Sequence, residues 1–271
     1  MYESYWQLDQ KPFENTADPQ FYFPGETHQA ALLKLRYAVE NRRGGALLCG
    51  AAGTGKTFLL SMLRESLGER CVPFIHLVYP QMSPAELLAY LADEFDGGGN
   101  DGIAVHESIR RIQKALRGNV EKGKHAVVVV DEAHLLDNSP MLETLRMLLN
   151  FGPDGQIGMT LLLVGQPGIL PLLDRTPQLE ERLGVKCLLR PFTANETGQY
   201  VSHRLQVAGS TAPIVAADAV PTLFELTRGI ARQINRLCDL ALLVGFAEEQ
   251  QSLSAAHFEA VCRELVAVVP E

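Results

Sequence analysis

The residues from Gly50 to Thr57 read Gly-Ala-Ala-Gly-Thr-Gly-Lys-Thr and match the phosphate-loop pattern G-x-x-x-x-G-K-[ST] at every fixed position. The glycines let backbone N–H groups close around phosphates, Lys56 meets the β and γ oxygens, and the Thr57 hydroxyl ligates Mg²⁺. A short apolar run precedes the loop and a helical pattern follows it, so the bound anion would face a helix N-terminus. The sequence therefore predicts a nucleoside triphosphate site formed by Gly50, Ala51, Ala52, Gly53, Thr54, Gly55, Lys56 and Thr57.

A second motif supplies the acids that hydrolysis requires. A run of valines ends at Asp131 and Glu132, and ligands of open α/β sheets bind at the carboxyl ends of the strands. We expect Asp131 to hold Mg²⁺ through its water shell and Glu132 to act as the general base on the attacking water. Asp131 to His134 also spells the box of a large class of RNA helicases. Those enzymes need two sheet domains, whereas only about 80 residues with helical patterns follow Pro191, so we expect His134 to orient its neighbours or to cap a helix.

Four further residues are candidates for sensing the γ-phosphate. Gln166 follows the next apolar run and can both donate and accept a hydrogen bond, although it also fits a turn before a proline. Arg182 precedes the last predicted strand, where it would reach a neighbouring subunit's phosphate loop. Arg175 is its competitor, and either arginine also suits a surface ion pair with Glu180 or Glu181. Arg232 begins a predicted lid helix and would either reach the γ-phosphate from above or face solvent.

The elements that must position these residues divide the chain in two. Five apolar runs bounded by turn residues predict strands, and helical patterns between them indicate an α/β fold, a parallel sheet covered on both faces. After Pro191 only helical patterns remain. We expect an N-terminal arm over residues 1–25 that packs on the core, a nucleotide-binding core over 26–191 and a helical lid over 192–271. The strands are predicted at 46–49, 72–78, 126–130, 159–164 and 185–189.

Composition sets the remaining bounds. The 271 residues are 46% hydrophobic and carry a net charge of −8, which argues against general electrostatic coating of DNA. Five widely spaced cysteines without a C-x-x-C pair argue against a disulfide framework and a zinc site and suggest buried thiols in a reducing cytoplasm. We find no N-terminal targeting pattern and no apolar run of about 20 residues. A glycine-rich stretch from Asp96 to Gly102 predicts a surface loop.

These motifs, in this order, resemble the AAA+ ATPases, and more closely the secretion-associated branch typified by the ExeA/GspA ATPases of type II secretion systems. The likeness extends over almost the whole chain. Its segments include Met1-Tyr2-Glu3-Ser4-Tyr5, Pro12-Phe13, Arg42-Arg43-Gly44, the two motifs above, Leu148-Leu149-Asn150-Phe151, Val164-Gly165-Gln166-Pro167 and Ile234-Asn235-Arg236-Leu237-Cys238-Asp239.

The resemblance implies a P-loop NTPase of the AAA+ type: a five-stranded parallel core, a helical lid and an ATP-dependent ring with sites at subunit interfaces. It implies Lys56, Thr57, Asp131 and Glu132 as the catalytic core, with Mg²⁺ held by Thr57 and Asp131. The remaining roles that it implies are those of first sensor, arginine finger and second sensor, for Gln166, Arg182 and Arg232. The family places a proline before the second sensor, where this chain has Ala231.

Two functions remain open on these grounds. The first is a cytoplasmic Mg²⁺-dependent ATPase that forms a ring, a hexamer by expectation, and drives assembly of a secretion or pilus-like envelope machine. Its partners would be that machine's components, and attachment to the inner membrane through them stays open. Longer relatives continue into a membrane span and a peptidoglycan-binding module, which this sequence lacks, so cell-wall binding is not carried over. The second function is an ATP-dependent DNA-binding regulator similar to those of transposition, for which Arg110, Lys114 and Arg117 offer a basic helix face.

Overall fold

The computed structural model describes residues 1–98, 104–136 and 139–267. The chain forms two compact units. One contains residues 27–51 and 59–189, and the other contains residues 1–26, 52–58 and 190–271. The predicted loop from Asp96 to Gly102 lies outside the described residues from position 99 onward.

The first unit is built on a parallel sheet of five strands, which confirms the predicted fold class. The order across the sheet is β2-β3-β4-β1-β5, and every pair is parallel. The strands are β1 (Gly45–Gly50), β2 (Phe74–Leu77), β3 (Ala126–Val130), β4 (Met159–Gly165) and β5 (Leu183–Leu189).

Burial follows the position of each strand in the sheet. Every residue of β1, β3 and β4 is buried, because helices cover both faces of an inner strand and exclude charged side chains. The edge strand β5 instead alternates, with Leu183, Cys187 and Leu189 buried and Lys186 and Leu188 exposed. The unbroken apolar runs in the sequence are therefore the three inner strands.

Helices connect the strands and complete this layer. They are α1 (Glu26–Glu40), α2 (Lys56–Ser66), α3 (Pro84–Asp96), α4 (Val105–Glu121), α5 (Ser139–Leu148), α6 (Ile169–Asp174) and α7 (Pro177–Glu180). The start of α3 shows why a helix begins where it does. Ser83 and Glu86 form a reciprocal capping box, which satisfies two of the backbone N–H groups left without partners at a helix N-terminus.

The second unit is helical, with α8 (Ala194–Val207), α9 (Ala219–Thr227), α10 (Ala231–Ala247) and α11 (Ala255–Ala267). The switch from strands to helices falls near Phe192, where the sequence predicts it. These four helices share an apolar core that includes Leu223, Ile234, Leu242 and Phe258.

The N-terminal arm corrects one prediction. We expected it to pack on the nucleotide-binding core, but Tyr2, Trp6, Phe13 and Phe21 belong to the apolar core of the helical unit. The Trp6 indole N–H donates to the Leu242 carbonyl at 2.9 Å. Aromatic rings with a polar group bury best where such an acceptor exists, and α10 supplies it.

Two smaller features complete the description. No helix among the described residues is long and apolar enough to cross a bilayer. All five cysteines are free thiols. Cys49, Cys187 and Cys238 are buried, whereas Cys71 and Cys262 are partly exposed, so the expectation of buried thiols is correct for three of them.

Candidate nucleotide site

The phosphate loop leaves the sheet at the carboxyl end of β1. Gly53 and Gly55 have φ of +77° and +93°, a left-handed backbone that side chains with a Cβ adopt only with strain. Lys56 is the first residue of α2 and is buried, and Thr57 beside it is exposed. The loop backbone thus favours glycine at position 55, which the phosphate-loop pattern fixes, and at position 53, which the pattern leaves variable.

Residues 52–58 of this loop belong to the same compact unit as Arg232, and the two are in contact within it. The Arg232 backbone N–H donates to the Gly53 carbonyl at 3.1 Å. A Cβ on Gly53 would lie 2.9 Å from the Arg232 Cβ and 3.0 Å from the Ile230 Cγ2, so close packing is a second reason for glycine at position 53. Arg232 itself is exposed. The structure therefore places the predicted second sensor beside the phosphate loop.

Asp131 and Glu132 stand at the carboxyl end of β3. Asp131 is 4% exposed, and its Oδ1 accepts a hydrogen bond from the Glu132 N–H at 2.8 Å. Glu132 has a φ of +49°, which is unusual for a residue with a Cβ and is the kind of local strain found at functional sites. The turn redirects the chain directly after the strand, so the two neighbouring acids have different surroundings.

A histidine that the sequence reasoning missed contacts Asp131. The Nε2 atom of His76 lies 3.3 Å from the Asp131 Oδ2. His76 is on β2 and is paired in register with Val129, two residues before Asp131. The only sequence signal was a histidine in an apolar strand, which by itself does not indicate which strand lies beside it.

Gln166 follows β4 and meets His134. The Gln166 Nε2 lies 3.0 Å from the His134 Nε2, and the His134 Nδ1 lies 3.3 Å from the Glu132 Oε2. The structure thus brings Glu132, His134 and Gln166 together. His134 lies between the other two side chains, and Gln166 lies in a polar cluster at the end of β4.

Sheet topology explains why these groups share one edge. Strand β4 lies between β1 and β3, and all three run in the same direction, so their carboxyl ends coincide. Neighbouring strands are about 4.8 Å apart, which puts the ends of β1 and β3 roughly 10 Å apart. Gly50, Asp131 and Gln166 therefore leave the sheet at the same edge, where ligands of open α/β sheets bind.

The two candidate finger arginines are placed differently. Arg182 directly precedes β5, whose first residue pairs with Gly45 at the start of β1. Arg182 therefore lies at the amino ends of the strands, whereas Gly50 lies at their carboxyl ends. Both Arg182 and Arg175 are exposed. The ion pairs considered for them with Glu180 or Glu181 are not formed in the described structure, where Glu180 instead pairs with Lys186 at 2.5 Å.

Comparison with known proteins identifies the family that the chain resembles. The family described as "AAA domain" matches residues 39–173. General secretion pathway protein A of Aeromonas hydrophila is 35% identical over 251 residues, covering 91% of this chain and 45% of that protein. This chain therefore spans less than half the length of that relative.

Solved structures show the same fold at low sequence identity. Cdc6p from Pyrobaculum aerophilum superposes with a TM-score of 0.74 at 16% identity, covering 97% of this chain and 75% of that one. The ORC1 protein of Aeropyrum pernix, solved in complex with DNA, gives a TM-score of 0.68 at 18% identity, covering 96% of this chain and 69% of that one.

The parallel sheet, the phosphate loop and the family match define the class of the protein, which is an AAA ATPase. Within that class it is of the ExeA/GspA type, as its identity with General secretion pathway protein A shows.

Proposed function

We propose that the chain hydrolyses Mg²⁺-ATP with Lys56, Thr57, Asp131 and Glu132 as its catalytic core. The observation that carries this proposal is the pair of acids at the end of β3, on the same sheet edge where β1 enters the phosphate loop. A phosphate loop alone supports binding. A carboxylate held beside the place where that loop begins also supplies a base for hydrolysis.

The residues present fit a magnesium ion. The Thr57 hydroxyl and the Asp131 carboxylate are hard oxygen donors of the kind that Mg²⁺ prefers. The bound ion would neutralise charge on the β- and γ-phosphate oxygens. Lys56 adds a fixed positive charge at the start of α2.

Glu132 would carry the proton transfer. As water attacks, one O–H bond breaks, the proton passes to the Glu132 carboxylate, and the water oxygen forms a bond to the γ-phosphorus. The bond from that phosphorus to the bridging oxygen breaks, and its electron pair leaves with ADP. Gln166 would orient this water, and Arg232, whose backbone contacts the loop at Gly53, would respond to the γ-phosphate.

We further propose that Arg182 completes the site of a neighbouring subunit. Its location at the edge of the sheet opposite Gly50 makes it unsuitable for its own site, and its exposure leaves it available to another chain. An arginine supplied in trans stabilises transition-state charge. This arrangement needs a neighbouring subunit at each site, which a head-to-tail interface repeated around a closed ring would supply, and we propose a hexamer.

We propose that the protein acts in the cytoplasm. The ATPase would drive assembly of a secretion or pilus-like envelope machine and would contact the inner membrane through that machine's components. The support is the 35% identity with General secretion pathway protein A over most of this chain.

Phosphate release tests the enzymatic part of the proposal. Glu132→Gln should lower kcat by about 10²- to 10⁴-fold and leave the ATP Kd within a few-fold of the wild type. Lys56→Ala should weaken ATP binding itself. Glu94→Gln and Lys34→Ala, at exposed positions of α3 and α1, are matched controls that should retain the wild-type rate. An unchanged rate in Glu132→Gln would contradict the proposal.

The cellular part needs a separate test. In the native host, replacing the gene with the Glu132→Gln or Lys56→Ala allele should reduce both secretion and the amount of assembled envelope complex. Glu94→Gln is again the control. Normal assembly with either catalytic variant would exclude the secretion role without affecting the ATPase assignment.

A DNA-binding role is the second candidate, and one observation favours it. Arg110, Lys114 and Arg117 are all exposed on α4, and this spacing places them on one helix face. Fluorescence anisotropy with a labelled duplex in 50 mM and 200 mM salt, with and without ATP, tests this role. ATP-dependent binding that weakens with salt and is reduced by Lys114→Ala would support it, and no binding at low salt would exclude it.

A further inference from the structure

The side chain of His134 lies between Glu132 and Gln166. Its Nδ1 atom is 3.3 Å from the Glu132 Oε2 and its ring is 16% exposed. Its Nε2 atom is 3.0 Å from the Gln166 Nε2. One imidazole ring therefore contacts both the proposed general base and the proposed sensor of the γ-phosphate.

The backbone around the ring allows His134 to lie close to both Glu132 and Gln166. After β3 the left-handed turn at Glu132 leads into a short 3-10 helix, Ala133–Leu135. Gly165 ends β4 at this point, and a Cβ there would lie 3.1 Å from the His134 backbone N and 3.4 Å from its Nδ1. A larger residue at position 165 would push the ring away from Gln166.

Hydrogen-bond chemistry indicates where the ring proton lies. The Gln166 amide nitrogen is only a donor, so the Nε2 atom that faces it must accept. A neutral imidazole has one N–H, which then lies on Nδ1 and faces Glu132. The Gln166 backbone N–H also faces Nδ1, at 3.4 Å. Like the 3.3 Å contact with Glu132, this distance exceeds the usual range of 2.7–3.2 Å, and only the Glu132 contact is compatible with a proton on Nδ1.

In the part of the chain that the structure describes, the Glu132 carboxylate lacks a hydrogen-bond donor at one of its oxygens. Its Oε2 atom is buried and has no partner of hydrogen-bond geometry among the described residues, although the side chain as a whole is 42% exposed. A buried carboxylate oxygen without a donor is costly. The Nδ1–H of His134 lies 3.3 Å from this oxygen, and a shift of a few tenths of an ångström would bring the pair into hydrogen-bond range.

We propose that His134 is a positioning residue that holds Glu132 and Gln166 as one unit during ATP hydrolysis. The inference rests on the proposed function of those two residues. Holding Oε2 leaves the other carboxylate oxygen to take the proton from water. Holding the Gln166 amide nitrogen leaves its carbonyl oxygen to orient that water. Loss of His134 would disorder both groups and leave nucleotide binding intact.

Three substitutions separate positioning from mere packing. His134→Phe keeps a ring without nitrogen atoms, and we expect kcat to fall about 10- to 100-fold with the ATP Kd within threefold of the wild type. His134→Asn keeps a donor near the position of Nδ1, and we expect it to recover part of the rate. In the His134→Phe background Gln166→Ala should cause little further loss, because residues that act as a unit are non-additive.

The outcomes are separable from those of the proposed function. If Glu132→Gln retains full activity, the function itself is wrong. If Glu132→Gln is inactive while His134→Phe turns over normally, only this inference is overturned. It is also overturned if His134→Asn is no better than His134→Phe, or if the losses from His134→Phe and Gln166→Ala multiply in full. Thermal unfolding and the ATP Kd report on folding, and should His134→Phe not fold, a normal kcat in a folded His134→Ala would overturn the inference.

Discussion

Among single residues, His125 shows how burial fixes a protonation state. It is 3% exposed, and its Nε2 lies 2.8 Å from the Thr160 Oγ1. The Thr160 hydroxyl donates its only proton to the Arg43 carbonyl at 2.7 Å, so the His125 Nε2 must carry the ring proton and its Nδ1 must be a lone pair. Burial, with a smaller contribution from the charge of Arg42, lowers the pKa of His125 to about 4.

The lowered pKa of His125 predicts that the folded protein loses stability in acid. An unfolded histidine has a pKa of about 6.5, so between pH 6.5 and 4 the unfolded chain takes up a proton that the folded chain does not. The free energy of unfolding is therefore highest above pH 6.5 and falls as the pH is lowered, by about 3 kcal/mol at pH 4 from this residue. Urea unfolding at several pH values checks it. His125→Gln should flatten the dependence, and the same change at exposed His106 should not; equal slopes in wild type and His125→Gln would contradict the assignment.

Local spacing explains which site residues can be predicted from the sequence. The phosphate loop and the Asp131–Glu132 pair each consist of consecutive residues, and each directly follows an apolar run that predicts a strand. The sequence therefore indicates that both lie at the carboxyl end of a strand. The contacts of His76 with Asp131 and of His134 with Gln166 depend on which strands are neighbours. That order is a property of the sheet, so the sequence names these residues without indicating their partners.

At the scale of elements, strand boundaries follow backbone chemistry more closely than hydrophobicity. The predicted strand 72–78 is observed only over Phe74–Leu77. Pro73 has no N–H to contribute to a ladder, and Val78 is 63% exposed. Strand β5 begins at Leu183, two residues earlier than predicted, because Gly184 is compatible with an edge strand although it interrupts the apolar run.

The N-terminal arm shows why the packing partner of an irregular segment could not be predicted from the sequence. Its aromatic residues predict packing, but an irregular segment has no periodicity to indicate a face. Its destination depends on specific groups. Arg204 on α8 donates to the Glu14 carbonyl at 3.0 Å, and its guanidinium lies 4.6 Å from the centroid of the Phe21 ring. Such a cation–aromatic contact adds to the apolar burial.

The turn between α9 and α10 depends on a glycine whose replacement should be costly to stability. Gly229 has a φ of +70°, and a Cβ there would lie 2.0 Å from the Phe192 carbonyl oxygen. Gly123 has the same φ, but its Cβ would meet no atom within 4 Å. Gly123→Ala should cost about 1–2 kcal/mol from the left-handed backbone alone. Gly229→Ala should cost roughly 4 kcal/mol or more, because a backbone carbonyl cannot move aside cheaply.

Denaturant unfolding of the two glycine variants measures the difference. The matched φ removes the conformational contribution from the comparison, so the excess in Gly229→Ala reports the close approach to Phe192. Equal losses in both variants would show that the turn opens to admit a methyl group. In that case the Phe192 N–H bond to the Gly229 carbonyl, 2.9 Å long, should also weaken, which hydrogen exchange at that amide would detect.

For the whole molecule, the decisive question is whether each ATP site is completed by a second copy. Arg182 and Arg175 are both exposed and both follow β4 in the chain. Nothing in one chain's sequence distinguishes a finger from a surface arginine, because the phosphate that it would contact belongs to another chain. Only a measurement on assembled subunits can separate these roles.

Mixing two inactive variants provides that measurement. Arg182→Ala subunits retain Glu132, and Glu132→Gln subunits retain Arg182, so each alone should hydrolyse ATP at least 10²-fold more slowly than the wild type. In an equimolar mixture, half of the subunits keep Glu132, and half of their neighbours supply Arg182. Roughly a quarter of the sites should then be intact, and phosphate release should recover to about that fraction of the wild-type rate.

The control is the same mixture made with Arg175→Ala. If Arg182→Ala remains active alone while Arg175→Ala is inactive and is rescued by Glu132→Gln, the finger is Arg175. Size-exclusion chromatography with two differently tagged chains must show that mixed oligomers form. Mixed oligomers without recovery in either pair would contradict a shared site, and each chain would then hydrolyse ATP with only its own residues.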